Sequence, residues 1–344
     1  MAEVKPKPQI DRVTPAAAIA GGEVVIHGQG FASHNNRPPQ VQFGEKEASV
    51  LISAEDFLVA TVPKGAVSGS ARVRTAAGES PPVGVAVGVP IADNLHAVAN
   101  PAVDAEGSIY VTFSGRRGQK VPISLYKLDP QYTVKPFLSD LMNATGLGFD
   151  SGGTLYVSSR FEGAVYQVTP DSRKRRYVEG MGVATGIVFD AEDNLYVGDR
   201  SGTIFKVSRD RQIFVFATLE PSVAAYHLAF GPDHRLYVTG PTTSSHDAVY
   251  RISDTGHVAV FYRGLGRPQG LAFDAAGNLY VVASVGGRRG IVRFTPSAEP
   301  ELVVSGPDLV GLAFPPSPPG GLILATTDAL YHLNWPVAGL PGPA

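Results

Sequence analysis

Six arginines lie in four short loops: Arg116 and Arg117 in SGRRGQKVP (114–122), Arg160 in SRFEG (159–163), Arg200 in DRSG (199–202), Arg288 and Arg289 in VGGRRG (285–290). A guanidinium offers planar, paired donors that match two oxygens of a carboxylate or phosphate. Lys120 adds another positive charge, and the acids of these loops are Glu162, Asp199 and, in PTTSSHD (241–247), Asp247. On a common face, the loops would form a rim that accepts anions.

Other chemistry is sparse. With no cysteine there is no disulfide, thiolate metal ligand or cysteine nucleophile. Neither a Gly-x-Ser-x-Gly elbow nor a His-Glu-x-x-His zinc motif occurs. His227 is the one candidate general base, its ordinary pKa near 6.5 suiting proton transfer. A lone histidine is more often hydrogen-bonded structure, so no catalytic residue is assigned. His246-Asp247 reads as a solvated turn. So does the basic run SRKRR (172–176), which lacks the interleaved aromatics of a nucleic-acid tract. The formal charge of −2 gives no global attraction to nucleic acid or an anionic membrane.

A recurring stretch must position these groups. TGIVFDAEDNLYV begins at Thr185, with copies at Thr145 (TGLGFDSGGTLYV), Tyr226 (YHLAFGPDHRLYV) and Gln269 (QGLAFDAAGNLYV), and degraded ones at Ala99 and Val310. Their tyrosines, Tyr110, Tyr156, Tyr196, Tyr237 and Tyr280, are 46, 40, 41 and 43 residues apart. That period is the length of one four-stranded propeller blade. Each copy predicts an innermost strand, an Asp-containing turn, a Leu-Tyr-Val strand, a third strand such as VYQV or IFKV, and a fourth. The arginine loops join second to third strands and therefore share a face with the starts of the innermost strands. The two Gly-Arg-Arg loops, in the first and fifth blades, are expected to flank the sixth.

Residues 8–89 lack the repeat and show short alternating strands bounded by Gly and Pro, as in a small β-sandwich. The series P-x-I-x-x-x-x-P, V-x-I-x-G-x-G-F, V-x-F-G and A-T-V-P resembles an IPT/TIG domain, an immunoglobulin-like module, which implies a spacer or docking role. The final repeat ends after its third strand, so a strand drawn from about 85–91 is expected to close the ring. Residues 90–336 resemble NHL-repeat propellers and the six-bladed group that includes gluconolactonase-like enzymes. The expected fold is all-β: an immunoglobulin-like sandwich followed by a six-bladed β-propeller.

The gluconolactonase resemblance implies a divalent ion held by Glu, Asn and Asp at the starts of the innermost strands. The matching positions here are Ala99, Thr145, Thr185, Tyr226, Gln269 and Val310, followed by Asn100, Gly146, Gly186, His227, Gly270 and Gly311. None is a carboxylate, so Ca²⁺ or another divalent metal is not expected, nor any other cofactor. Asn100, Thr145, Thr185, Tyr226, His227 and Gln269 are instead expected to offer polar contacts to a ligand in the channel. The favoured function is a non-catalytic module binding a small anionic or carbohydrate-derived ligand, or a protein, at an arginine-rimmed face. The alternative is a lactonase-like hydrolase or lyase. No signal peptide or membrane span is evident, so the chain reads as cytoplasmic, or as secreted if a leader has been removed.

Overall fold

A computed structural model describes residues 6–32, 38–316 and 320–340, and their regular structure is entirely strand. In the N-terminal module, alternation places Val24, Ile26, Leu58 and Ala60 on one inner face and Val41, Phe43, Ala71 and Val73 on the other. Gln9–Thr14, Glu23–Gln29, Phe57–Thr61 and Lys46–Ser53 pair in that order. Gln40–Phe43, Gly69–Thr75 and Val83–Val87 continue the path. The two apolar faces exclude water from one shared core, the sandwich arrangement expected of such alternation.

The repeat folds into four-stranded antiparallel units, each beginning at the axis. The first comprises Ala102–Val103, Ile109–Thr112, Leu125–Leu128 and Val134–Leu138; the second Ala144–Phe149, Leu155–Ser159, Ala164–Val168 and Lys174–Glu179. The third runs Ala184–Phe189, Leu195–Asp199, Thr203–Val207 and Ile213–Thr218, the fourth His227–Phe230, Leu236–Thr239, Asp247–Ile252 and Val258–Leu265. The last sheet contains Leu309–Ala313, Leu322–Thr326, Leu330–Leu333 and, from upstream, Val89–Ala92.

The expectation of six separate blades needs correction, because five stand as self-contained four-stranded sheets. The fifth repeat, Leu271–Phe273, Leu279–Val285, Arg288–Phe294 and Pro300–Ser305, belongs instead to a 13-stranded path. Ala17–Ala18 lies between Val83–Val87 and Pro300–Ser305, parallel to both, and fuses this unit to the sandwich. The closing strand also starts later than expected. Val83–Val87 is taken up by Gly69–Thr75 and Ala17–Ala18, leaving Val89–Ala92 to pair with Leu330–Leu333.

Neighbouring units are locked by one repeated contact. Tyr110, Tyr156, Tyr196, Tyr237 and Tyr280 meet Phe149, Phe189, Phe230, Phe273 and Phe314 of the next unit, with ring centroids 4.7–5.7 Å apart. Such tilted or edge-on pairs add about 0.5–1.5 kcal/mol each beyond their burial. The turn aspartates cap: Asp104, Asp150, Asp190 and Asp274 accept from the amide four residues on, at 2.7–2.8 Å. Tyr110, Tyr156 and Tyr280 also donate to their own turn aspartate.

Without Val89–Ala92 the last sheet would expose an unpaired edge. A chain beginning at Asp93 is therefore expected to melt at lower temperature, and to aggregate sooner on heating, than one beginning at Gly88. Scanning calorimetry with light scattering checks this, and equal melting would show that the ring does not depend on that strand.

Candidate functional site

The innermost strands approach most closely at the glycines of the repeat. An added Cβ at Gly146 or Gly186 would lie 2.3 Å from the carbonyl oxygen of Thr185 or Tyr226, and one at Gly311 would lie 2.5 Å from that of Ala99. Gly186 N–H donates to the Tyr226 carbonyl at 3.0 Å, and Gly270 N–H to that of Val310 at 3.1 Å. Two neighbouring strand pairs are thus bonded backbone to backbone near the axis, while Gly146 N–H donates to Ser158 Oγ, which in turn donates to the Thr185 carbonyl of the next unit. Asn100 completes this waist, donating to the Leu271 carbonyl at 2.8 Å and accepting from Leu312 N–H at 3.1 Å.

This geometry changes the expected roles of the polar residues at the strand starts. Thr145 donates to the Asn143 carbonyl, and Thr185 donates to Gly198 O while accepting from Tyr226 N–H. The Tyr226 hydroxyl donates to the Glu220 carbonyl, and Gln269 Oε1 accepts from Arg289. All four side chains are buried, Gln269 being the most exposed at 9%. Thr185 thereby ties the third unit to the fourth, whereas Thr145, Tyr226 and Gln269 bond to groups in or next to their own unit, and none of the four is exposed.

His227 is likewise buried, at 3% exposure, and its Nε2 has no hydrogen-bond partner. Burial first, and then the Arg289 charge, lowers its pKa to about 3, so the imidazole is neutral at physiological pH. The site also fails to suit the divalent ion that the gluconolactonase resemblance implies. Its oxygens are neutral and largely committed to neighbours, and among the described residues no three His, Cys, Asp or Glu side chains are grouped to hold a metal ion.

The six arginines separate into different environments. Arg289 is drawn inward, donating to the carbonyls of Arg267 and Leu309 at 2.8 and 2.7 Å, and burial lowers its pKa to about 10. Arg288 lies near the sandwich: with Arg12, its charge helps to lower the pKa of His27, for which burial is the largest cause. Of that Gly-Arg-Arg loop, Arg289 therefore spends donors within the protein. Arg116 is exposed, and its backbone is held by Gln119 and Asn143.

Arg117, Arg160 and Arg200, from the first three units, are near enough for the charges of the other two to act on Arg160, and Arg200 already donates to the carbonyls of Ser222 and Val223 at 3.4 and 2.8 Å. Arg160 is held below its ordinary pKa by burial and then by the charges of Arg200 and Arg117. It donates one bond to the Gly115 carbonyl at 3.0 Å, while its Nε is buried without a partner. Ser114 Oγ, adjacent in sequence to that carbonyl, is also buried and unpartnered. The loop acids do not neutralise the cluster. Asp199 accepts from Val183 N–H and Ser201, Asp247 from Thr242, and Glu162 from the Tyr166 hydroxyl. Among the described residues, none of the six rim arginines forms an ion pair.

The sequence reading missed a cavity of about 870 Å³ below the waist, where the innermost strands end. Its wall includes Val188, Ala229, Ala272 and Ala313, each immediately before the conserved phenylalanine of its copy. Small residues recurring at that position were the available signal.

The buried His227 makes stability sensitive to acid. The unfolded histidine titrates near 6.5 and the folded one near 3, so between these values the unfolded state binds the extra proton. The His227 contribution is full above pH 6.5 and declines as pH falls, by up to about 1.4 kcal/mol per pH unit. His227→Gln is expected to flatten this slope in urea melts from pH 7 to 4; an unchanged slope would contradict the assignment.

A family model for the IPT/TIG domain matches residues 8–85. No curated protein matches the chain significantly in sequence. Among solved structures, the chain is similar to an auxiliary nutrient binding protein from Bacteroides thetaiotaomicron, with TM-score 0.57 and 10% identity over 97% of this chain and 99% of that one. A gluconolactonase from Xanthomonas campestris aligns with TM-score 0.59 and 16% identity over 73% of this chain and 90% of that one. Virginiamycin B lyase from Staphylococcus aureus aligns with TM-score 0.51 and 12% identity over 97% of this chain and 96% of that one. At such identities the likeness is one of fold, so the comparisons describe an all-β chain in which an IPT/TIG domain accompanies a propeller.

Proposed function

We propose that this chain is a non-catalytic binding protein whose propeller recognises a small carboxylate- or phosphate-bearing ligand, carbohydrate-derived in the favoured case. The observation that carries this reading is the unpartnered Nε of Arg160, buried beside Arg117 and Arg200 without a carboxylate counter-ion. Buried polar groups ordinarily find hydrogen-bond partners, and a donor left open among converging positive charges suits an anionic oxygen. Phe161 stands 49% exposed on the same loop, its ring against Gly118, and offers an apolar face for a sugar ring. The fold is one that a nutrient-binding protein shares along nearly the whole chain.

The sandwich acts in this reading as a rigid docking or spacer module, supported by its continuous hydrogen bonding to the propeller through Ala17–Ala18. A lactonase or lyase acting at the channel has less support. The candidate base is neutral and buried, and the strand starts provide no carboxylate.

Titration calorimetry with glucuronate, galacturonate and inorganic phosphate at low ionic strength tests the proposal. At least one is expected to bind at one site, with Arg160→Ala weakening it by tenfold or more and Arg117→Ala/Arg200→Ala by a similar factor. Binding should also weaken as salt is raised. The reading fails if none of these anions binds, or if both variants bind as tightly as the parent.

A further inference from the structure

We infer that the cavity below the waist is a second binding site, specific for a cationic amphiphile. It lies at the opposite end of the innermost strands from Arg117, Arg160 and Arg200. Its volume, about 870 Å³, falls within the roughly 300–1,000 Å³ of small-molecule sites. Ala229, Ala272 and Ala313 line it and are only half-buried, so the space they leave is accessible within the ring. At its inner end stands Asn100, both amide atoms of which are already bonded to Leu271 and Leu312. The body of the cavity therefore favours an apolar group over one that needs hydrogen bonds.

The C-terminal segment supplies another wall. Leu340 N–H donates to the Phe273 carbonyl and Ala275 N–H to that of Ala338, both at 2.9 Å, which brings Leu340 to the cavity. A cavity of about 1170 Å³ lies beside it, sharing Phe314 and Leu340.

Charge at the entrance selects the head group. Asp190, Glu192 and Asp254 line the cavity together with Lys206 and His234. Lys206 is matched by Asp190 at 3.7 Å and lies over the Tyr196 ring, which leaves Glu192 and Asp254 exposed and outside any ion pair. An apolar recess with unmatched carboxylates at its mouth complements an apolar body with an ammonium or similar head.

Dodecyltrimethylammonium and dodecyl sulfate, used below their micellar concentrations, share a tail and differ in head charge. Calorimetry and the fluorescence of Trp335, the sole tryptophan, which packs in one cluster with Phe314, report binding. The cationic probe is expected to bind one-to-one at least tenfold more tightly than the anionic one. Ala272→Phe, which fills the recess, should weaken it by tenfold or more. Glu192→Gln/Asp254→Asn changes only exposed side chains and should bring the two probes within about threefold of each other. Arg160→Ala should leave the cationic probe's affinity unchanged, which separates this site from the arginine face. Absence of saturable binding, equal affinity of the parent for both probes, or a preference that survives Glu192→Gln/Asp254→Asn would overturn the inference.

Discussion

The structure depends on how closely the innermost strands approach one another at their glycines. A side chain at Gly146 or Gly186 would collide with the backbone of the next unit, and its absence lets neighbouring strands bond closely, peptide to peptide at Gly186 and Gly270 and through Ser158 Oγ at Gly146. A carbonyl that accepts from the neighbouring strand is no longer free to meet a ligand. Thr185 ties two units together, while Thr145 and Gln269 are bonded close by in their own repeat. The waist thus divides the ring into two unlike ends, with the loops of Arg117, Arg160 and Arg200 above and an apolar recess below.

The attachment of the sandwich follows a similar economy of backbone hydrogen bonds. The outer strand of a propeller unit presents unpaired groups that must find partners. At Pro300–Ser305 the partner is Ala17–Ala18, whose other edge is satisfied by Val83–Val87. Alanines suit this place because the strands are covered on both sides; Ala17 and Ala18 are at most 1% exposed. A few residues later the chain turns into Val89–Ala92 and completes the last sheet. Two connected stretches therefore fix the module against the ring, leaving little freedom for a hinge.

Identical side chains acquire different chemistry from these surroundings. Arg289 spends its donors on carbonyls within the protein, and desolvation rather than a partner charge dominates its titration. Arg160 keeps one donor open where two other arginines add their fields. His227 occupies a position filled by glycine in four other copies; burial, with Nε2 left unpartnered, holds it neutral. A residue type near a presumed active centre thus says little until its neighbours are known.

By itself the sequence determined the repeat, the order of strands within each unit, the capping aspartates, the inter-unit tyrosines and the immunoglobulin-like module. These are legible because period, turn chemistry and alternation are local properties of the chain. Only the tertiary structure decided that the fifth unit is continuous with the sandwich, that Arg289 is drawn inward, and that Thr145, Thr185 and Gln269 are internal ties. It also decided that the open space lies at the far end of the innermost strands. Each of these depends on distances between residues remote in sequence, and whether a donor is free or spent is set by what the fold brings beside it.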